Sequence, residues 1–215
     1  MDLDRIIYTF QLLLIDKIFV FLKFDSNYYS FFKVREKLVN NLKTAVVLVG
    51  HGGLPNDISS ELVEKFMRIH KTRVKTGSDI TKQEIELDQA IRRWKRTPEN
   101  DPYKTGLESL ASELEKYLDT CHVKTAYNEF CYPDIEDAVN ELAGDSYSKI
   151  ILVTTMITRG GSHSESEIPE EVEKLRLQHP TIDIQYAWPF CMNNFAEFLG
   201  KHVESFNTES VLNSN

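Results

Sequence analysis

Three short stretches of the chain hold residue types that bind metals and move protons. They are His51-Gly52-Gly53, Asn128-Glu129-Phe130-Cys131 and Arg159-Gly160-Gly161-Ser162-His163-Ser164-Glu165. Two imidazoles and a carboxylate suit a divalent first-row transition metal and leave coordination positions open for exchange. A neutral imidazole near pH 7 can also accept a proton. Taken singly, each residue has a plainer role. A histidine at a strand end is commonly a hydrogen-bonded core or loop residue, Glu129 could cap a helix or lie solvated, and the glycines could simply make turns. The glycine pairs could also cradle phosphate at a helix N-terminus. Neither forms GxGxxG or GxxxxGK[ST], and no GxSxG elbow is present. What favours a metal is the set: each stretch follows its own apolar run.

Those runs have the composition of buried parallel strands, short and rich in β-branched residues: 44–50 (TAVVLVG), 123–128, 149–155 (KIILVTT) and 182–187. Helical stripes lie between and after them: Leu107, Leu110, Ala111, Leu114 and Leu118; Ile135, Ala138, Val139 and Leu142; Ile168, Val172 and Leu175; Phe195, Phe198, Leu199, Val203 and Phe206. Strand and helix alternate, which predicts an α/β fold: a doubly wound parallel four-stranded sheet flanked by helices. A helical insertion interrupts the alternation after the first strand, at about 54–103, with helices expected over 61–75 and 81–95. Thr81 and Glu84 have the spacing of a capping box. Ligands of open parallel sheets bind beyond the carboxyl ends of the strands. With strand order 2-1-3-4, His51 would lie between Glu129 and His163, on strands about 4.8 Å apart.

A chain of 215 residues can form one sizeable core. Its net charge of −8 argues against a general binder of nucleic acid or anionic membranes. Cys121, Cys131 and Cys191 are odd in number and far apart, so they are read as reduced thiols in a cytoplasmic protein. From Ile6 to Phe24 the chain is apolar, but Gln11, Asp16, Lys17 and Lys23 interrupt it. That pattern is neither a clean spanning helix nor a signal peptide. Residues 1–43 are therefore expected to be an appended helical segment, or sequence translated from upstream of the true start, dispensable for folding and activity, with an interfacial membrane anchor as a further alternative. The α/β domain is expected over 44–206 and a tail over 207–215.

The three motifs, VVLVGHGG, AYNEFCYPDIEDAV and TRGGSHSESEIPEEV, together resemble the sirohydrochlorin chelatases, which serve sirohaem and cobalamin synthesis. The resemblance runs from about Thr44 to Phe206 and implies a class II chelatase half in a short form that pairs as a homodimer. It places metal binding and catalysis on His51, Glu129 and His163, and tetrapyrrole contacts on Glu129, Thr158, Arg159, Gly160, Gly161 and Ser162. The implied activity is insertion of Fe, Co or Ni into sirohydrochlorin or a related tetrapyrrole, with no further cofactor. A carrier without turnover is the alternative, and a flavodoxin-like regulator would bind no metal.

Such a substrate carries many carboxylates, which arginine pairs well. The insertion carries Lys65, Arg68, Lys71, Arg73 and Lys75, then Arg92, Arg93, Lys95 and Arg96. Arg92, Arg93 and Arg96 are expected to grip substrate, against the alternative of a solvated helix face. Trp94 and Trp188 could stack on a macrocycle or pack in the core. Glu165 is expected to orient a ligand or to sit near a helix N-terminus. His202 is expected to be a core histidine or one that supports a ligand, not a ligand itself, and His70, His122 and His179 to lie on helix or loop positions with no partner pattern.

Overall fold

The computed structural model describes residues 43–212, with side chains through Asn207. The extension expected over 1–43 lies, but for Lys43, outside the described residues. Four parallel strands form one sheet: β1 (Thr44–Gly50), β2 (His122–Tyr127), β3 (Lys149–Thr154) and β4 (Asp183–Tyr186). Their order is β2-β1-β3-β4, the order expected. The register sets Gly50 opposite Tyr127 and Val49 opposite Thr154. The carboxyl ends of β2, β1 and β3 are therefore level, and the chain leaves all three at one edge.

Alternation along β1 divides the core. Ala45, Val47 and Val49 point to one face, where α4 (Ile135–Gly144) and α5 (Ile168–Gln178) cover them with Val139, Leu142, Val172 and Leu175. Val46 and Leu48 point to the other, against Leu107 and Ala111 of α3 (Pro102–Glu115). Each fully buried Val or Leu contributes about 1.5–3 kcal/mol. The second face is covered less completely, because Ile151 and Val153 of β3 stay half-buried. The last helix, α6 (Met192–Leu212), leaves Phe198, Leu199, Val203 and Phe206 exposed. It continues past 207, where a tail was expected. His202 is exposed between Phe198 and Phe206 rather than in the core. No helix among the described residues is long and apolar enough to cross a membrane.

The insertion forms two helices that pack on each other, α1 (Ser60–Thr76) and α2 (Lys82–Arg92). Gly77 ends α1 in the left-handed conformation, φ 64°. Thr81 accepts a hydrogen bond from the Glu84 amide at 3.1 Å, the first half of the expected capping box. The second half does not form. The Glu84 carboxylate, 1% exposed, turns inward and accepts from Arg73 Nε at 2.9 Å and from His70 Nδ1 at 3.0 Å. His70 therefore has a partner, as do His122 with Glu115 and His179 with Asn140.

Burial alone would raise the Glu84 pKa, but its bonds to Arg73 and His70 outweigh burial and hold it below the usual carboxylate range. A depressed folded-state pKa contributes stability above the unfolded value and loses it as pH falls through the folded one. The α1–α2 hairpin is thus expected to loosen below about pH 4. Hydrogen exchange of its amides against pH should show this step, and Glu84→Gln should lack it. An identical acid step in both proteins would place its origin elsewhere.

Candidate metal centre

His51 is the first residue beyond β1. Its backbone amide donates to Tyr103 Oη at 2.8 Å. Its ring Nδ1 lies 2.8 Å from the Gly52 carbonyl, an acceptor, so the proton belongs on Nδ1 and Nε2 presents a lone pair. Beyond β2 the pairing with β1 continues: Asn128 N donates to Gly50 O at 2.9 Å and Glu129 N to His51 O at 2.7 Å. This pairing carries Glu129 alongside His51, with Oε2 3.8 Å from His51 Nε2.

Gly52 makes that approach possible. Its φ is +92°, and a Cβ there would stand 1.9 Å from the Glu129 carbonyl oxygen, well inside contact distance and against backbone. Gly52→Ala is expected to push the β1 and β2 turns apart and weaken cobalt binding about 10–100-fold, the usual scale for disturbed support around a ligand. Calorimetric titration would measure it. An unchanged affinity would mean the spacing of these turns is unimportant.

His163 starts a single π-turn, His163–Glu167, before α5. Such turns are rare and concentrate at functional sites. Its Nδ1 lies 2.8 Å from Glu167 Oε2. Asn128 Nδ2 approaches the same carboxylate oxygen at 3.2 Å. Burial would raise the Glu167 pKa, but the bonds from His163 and Asn128 outweigh it, so the carboxylate stays ionised and accepts the Nδ1 proton. Nε2 of His163 is again the free lone pair. Metal-binding histidines generally donate their other ring N–H to a carboxylate or carbonyl in this way.

The His51 and His163 rings meet edge to face, with centroids 5.0 Å apart. His51, Glu129 and His163 each offer a ligand atom within 4.8 Å of the other two. A divalent ion ligated by imidazole and carboxylate sits about 2.0–2.2 Å from each donor, so donors on one ion lie at most about 4.4 Å apart; the three are near that spacing and would draw together by a few tenths of an ångström around an ion. All three side chains are partly exposed, which leaves open positions on the solvent side.

Other residues fall differently from expectation. Glu165 pairs with Arg159 at 3.0 Å, which holds its carboxyl below the usual range. Glu167, four residues beyond His163, orients that histidine instead. Its i,i+4 spacing was the available signal. Thr158 to Ser162 form an exposed turn beside the site, and Gly160 has φ +87°. Cys131 is fully buried, burial pushes its thiol up to about 11, and it is not among the three converging donors. Trp94 donates to Asp57 at 3.1 Å, and Trp188 stacks on Tyr186 with centroids 6.2 Å apart.

The arginines expected to bind substrate are largely occupied by the protein. Arg96, with a 5% exposed side chain, pairs with Asp101, 3% exposed. It also donates to the carbonyls of Gly53, Ile91 and Phe130. It thereby ties the turn after β1 to the turn after β2. Arg92 binds Asp88 at 2.7 Å and the carbonyls of Cys131 and Asn128 at 3.2 Å each. Arg93 is exposed, with its guanidinium 4.4 Å from the Tyr132 ring centroid.

Residues 98–202 match the model of the CbiX family, a span that includes Glu129 and His163 but not His51. The matched span is just under half of the chain. No curated protein sequence matches significantly. Among solved structures, the sirohydrochlorin chelatase SirB from Bacillus subtilis subspecies spizizenii, in complex with cobalt, is 16% identical with a TM-score of 0.43, covering 68% of this chain and 43% of that one. A putative cobalamin (vitamin B12) biosynthesis CbiX protein from Marinobacter aquaeolei VT8 is 17% identical with a TM-score of 0.44, covering 78% and 96%. SirB from Bacillus subtilis with Fe3+ is 16% identical with a TM-score of 0.40, covering 68% and 40%. The chain therefore spans less than half the length of either Bacillus protein.

Proposed function

We propose that this protein is a metallochelatase that inserts a divalent metal, Fe, Co or Ni, into sirohydrochlorin or a related tetrapyrrole. The observation that carries the reading is the convergence of His51, Glu129 and His163 within 4.8 Å, with both Nε2 lone pairs set by fixed partners of Nδ1. The match of residues 98–202 to the CbiX family model supports it.

Metallation joins one M2+ to a macrocycle with two pyrrole N–H groups and releases two protons. Divalent metal is substrate here, so the site must hold it loosely. Three partly exposed donors meet that need, because open positions let water and then pyrrole nitrogen replace each other. His51 and His163 hold the ion through Nε2. As the metal passes to the ring, His51 and Glu129 become free to accept the two protons, His51 at Nε2 and Glu129 at Oε2, 3.8 Å apart. Glu167 keeps the His163 ring in the metal-binding orientation throughout. The exposed turn Thr158–Ser162 leads into His163 and is assigned to substrate contact.

The reading includes a cytoplasmic location, consistent with three free cysteines, and pairing of two copies. The exposed apolar residues of α6 and the half-buried Ile151 and Val153 support the pairing, since a twofold contact would remove both from water. Sedimentation at micromolar concentration should give a dimer, and a strict monomer would refute pairing. Anaerobic incubation with sirohydrochlorin and Fe(II), Co(II) or Ni(II), followed by absorbance, tests the activity. Faster spectral conversion than in protein-free controls is expected. Binding of metal and macrocycle without conversion would make the protein a carrier instead.

A further inference from the structure

A pocket of about 640 Å3 lies between the α1–α2 hairpin and the turn after β2. Its size suits an organic ligand rather than an ion. Phe66, Met67, Val74, Ile80 and Phe130 supply its apolar lining. At one end it reaches Asn128, Glu129 and Glu167, which belong to the metal centre or hold it. Lys71 and Lys75, one helical turn apart on α1, are also among its lining residues.

The charges in the pocket wall are not equivalent. Arg73 is taken up by Glu84, and Arg92 by Asp88 and two carbonyls. Lys71 and Lys75 are exposed and have no carboxylate within ion-pair distance among the described residues. The pocket thus offers an apolar lining, two uncompensated ammonium groups, and an end open to the metal donors. A flat conjugated ring with carboxylate arms has the complementary features, because its faces seek apolar surface and its arms seek cations.

We infer that the α1–α2 hairpin is a wall of the substrate cleft within a single chain, and that Lys71 and Lys75 hold carboxylates of the macrocycle. The inference rests on the chelatase reading for the nature of the ligand. It replaces Arg92 and Arg96 as the substrate-gripping cations of the insertion, since those two hold the protein to itself.

Binding of uroporphyrin I, an octacarboxylate porphyrin, to the full chain can be followed by fluorescence at several salt concentrations. The double charge reversal Lys71→Glu/Lys75→Glu is expected to weaken binding roughly tenfold or more and to flatten its salt dependence. Lys65→Glu/Arg68→Glu makes the same change in net charge on the same helix, outside the pocket lining, and is expected to bind as wild type does. Lys71→Arg/Lys75→Arg should retain binding. Calorimetric affinity for Co(II) should be unchanged in all three. Absence of porphyrin binding by wild type, or equal loss in both charge-reversed variants, would overturn the inference. If wild type binds porphyrin through Lys71 and Lys75 yet never metallates a tetrapyrrole, the chelatase reading fails while this site stands.

Discussion

Replacing His51 and His163 together by alanine is expected to abolish metallation while the protein remains folded. Both rings are partly exposed, and their Nδ1 atoms bond only to the nearby Gly52 carbonyl and Glu167 carboxylate. Their loss should leave the strands and core untouched. Three donors that meet at one ion act as a unit, so losing one ligand removes most of what losing two removes. His51→Ala alone is expected to lower turnover about 100-fold or more, because it removes a ligand and a proton acceptor together. His163→Ala should chiefly weaken metal affinity, and excess metal should recover part of the rate. Glu129→Gln keeps shape and loses charge, so it should slow proton removal more than it weakens macrocycle binding. Steady-state rates across metal concentrations would separate these effects, with circular dichroism as the folding control. Normal metallation by the double variant would end the assignment of this centre.

Arg96→Met is expected to have the largest effect on stability. Its side chain and that of Asp101 are 5% and 3% exposed. Removing one partner of a buried pair typically costs about 3–5 kcal/mol, because the other charge stays buried without compensation. For a domain of this size that corresponds to a fall in Tm on the order of 10 °C. Three carbonyls, of Gly53, Ile91 and Phe130, also lose a donor. Two of them lie in the turns that carry His51 and Glu129, so cobalt affinity should fall with stability. Asp101→Asn in the same background should cost less than it does in wild type, the mark of coupled partners. A Tm within a degree or two of wild type would show that Arg96 is replaceable. It would also reopen Arg96 as a residue for substrate.

The sheet was legible from local pattern. β1 is a run of small and β-branched residues ended by glycine, and its limits match expectation. β2, β3 and β4 begin or end one residue from the expected limits, because strand ends depend on where pairing stops. The placement of His51 and Glu129 followed from being one and two residues beyond level strand ends. A period-two pattern and a parallel register leave little freedom there. His163 was harder, since a turn separates it from β3, and only its motif pointed to it.

Partner choice was not legible, because it depends on which way a side chain turns. Glu84 has the spacing of a capping-box acid, yet its carboxylate serves Arg73 and His70 across the hairpin. Only the packing of α1 on α2 makes the inward direction available. Glu165 and Glu167 are both near His163 in sequence. The π-turn puts Glu167 against the ring and leaves Glu165 to Arg159. Arg92 and Arg96 look in sequence like Lys71 and Lys75, members of two basic stretches. Burial against carbonyls of the turn after β2 makes the first two structural, and the pocket lining takes the other two. The chain's local chemistry determined the strands, the helices and the residues able to bind a metal, because those follow from spacing and residue type. Tertiary structure alone decided which charges remain available to a ligand, because burial and pairing depend on neighbours distant in sequence.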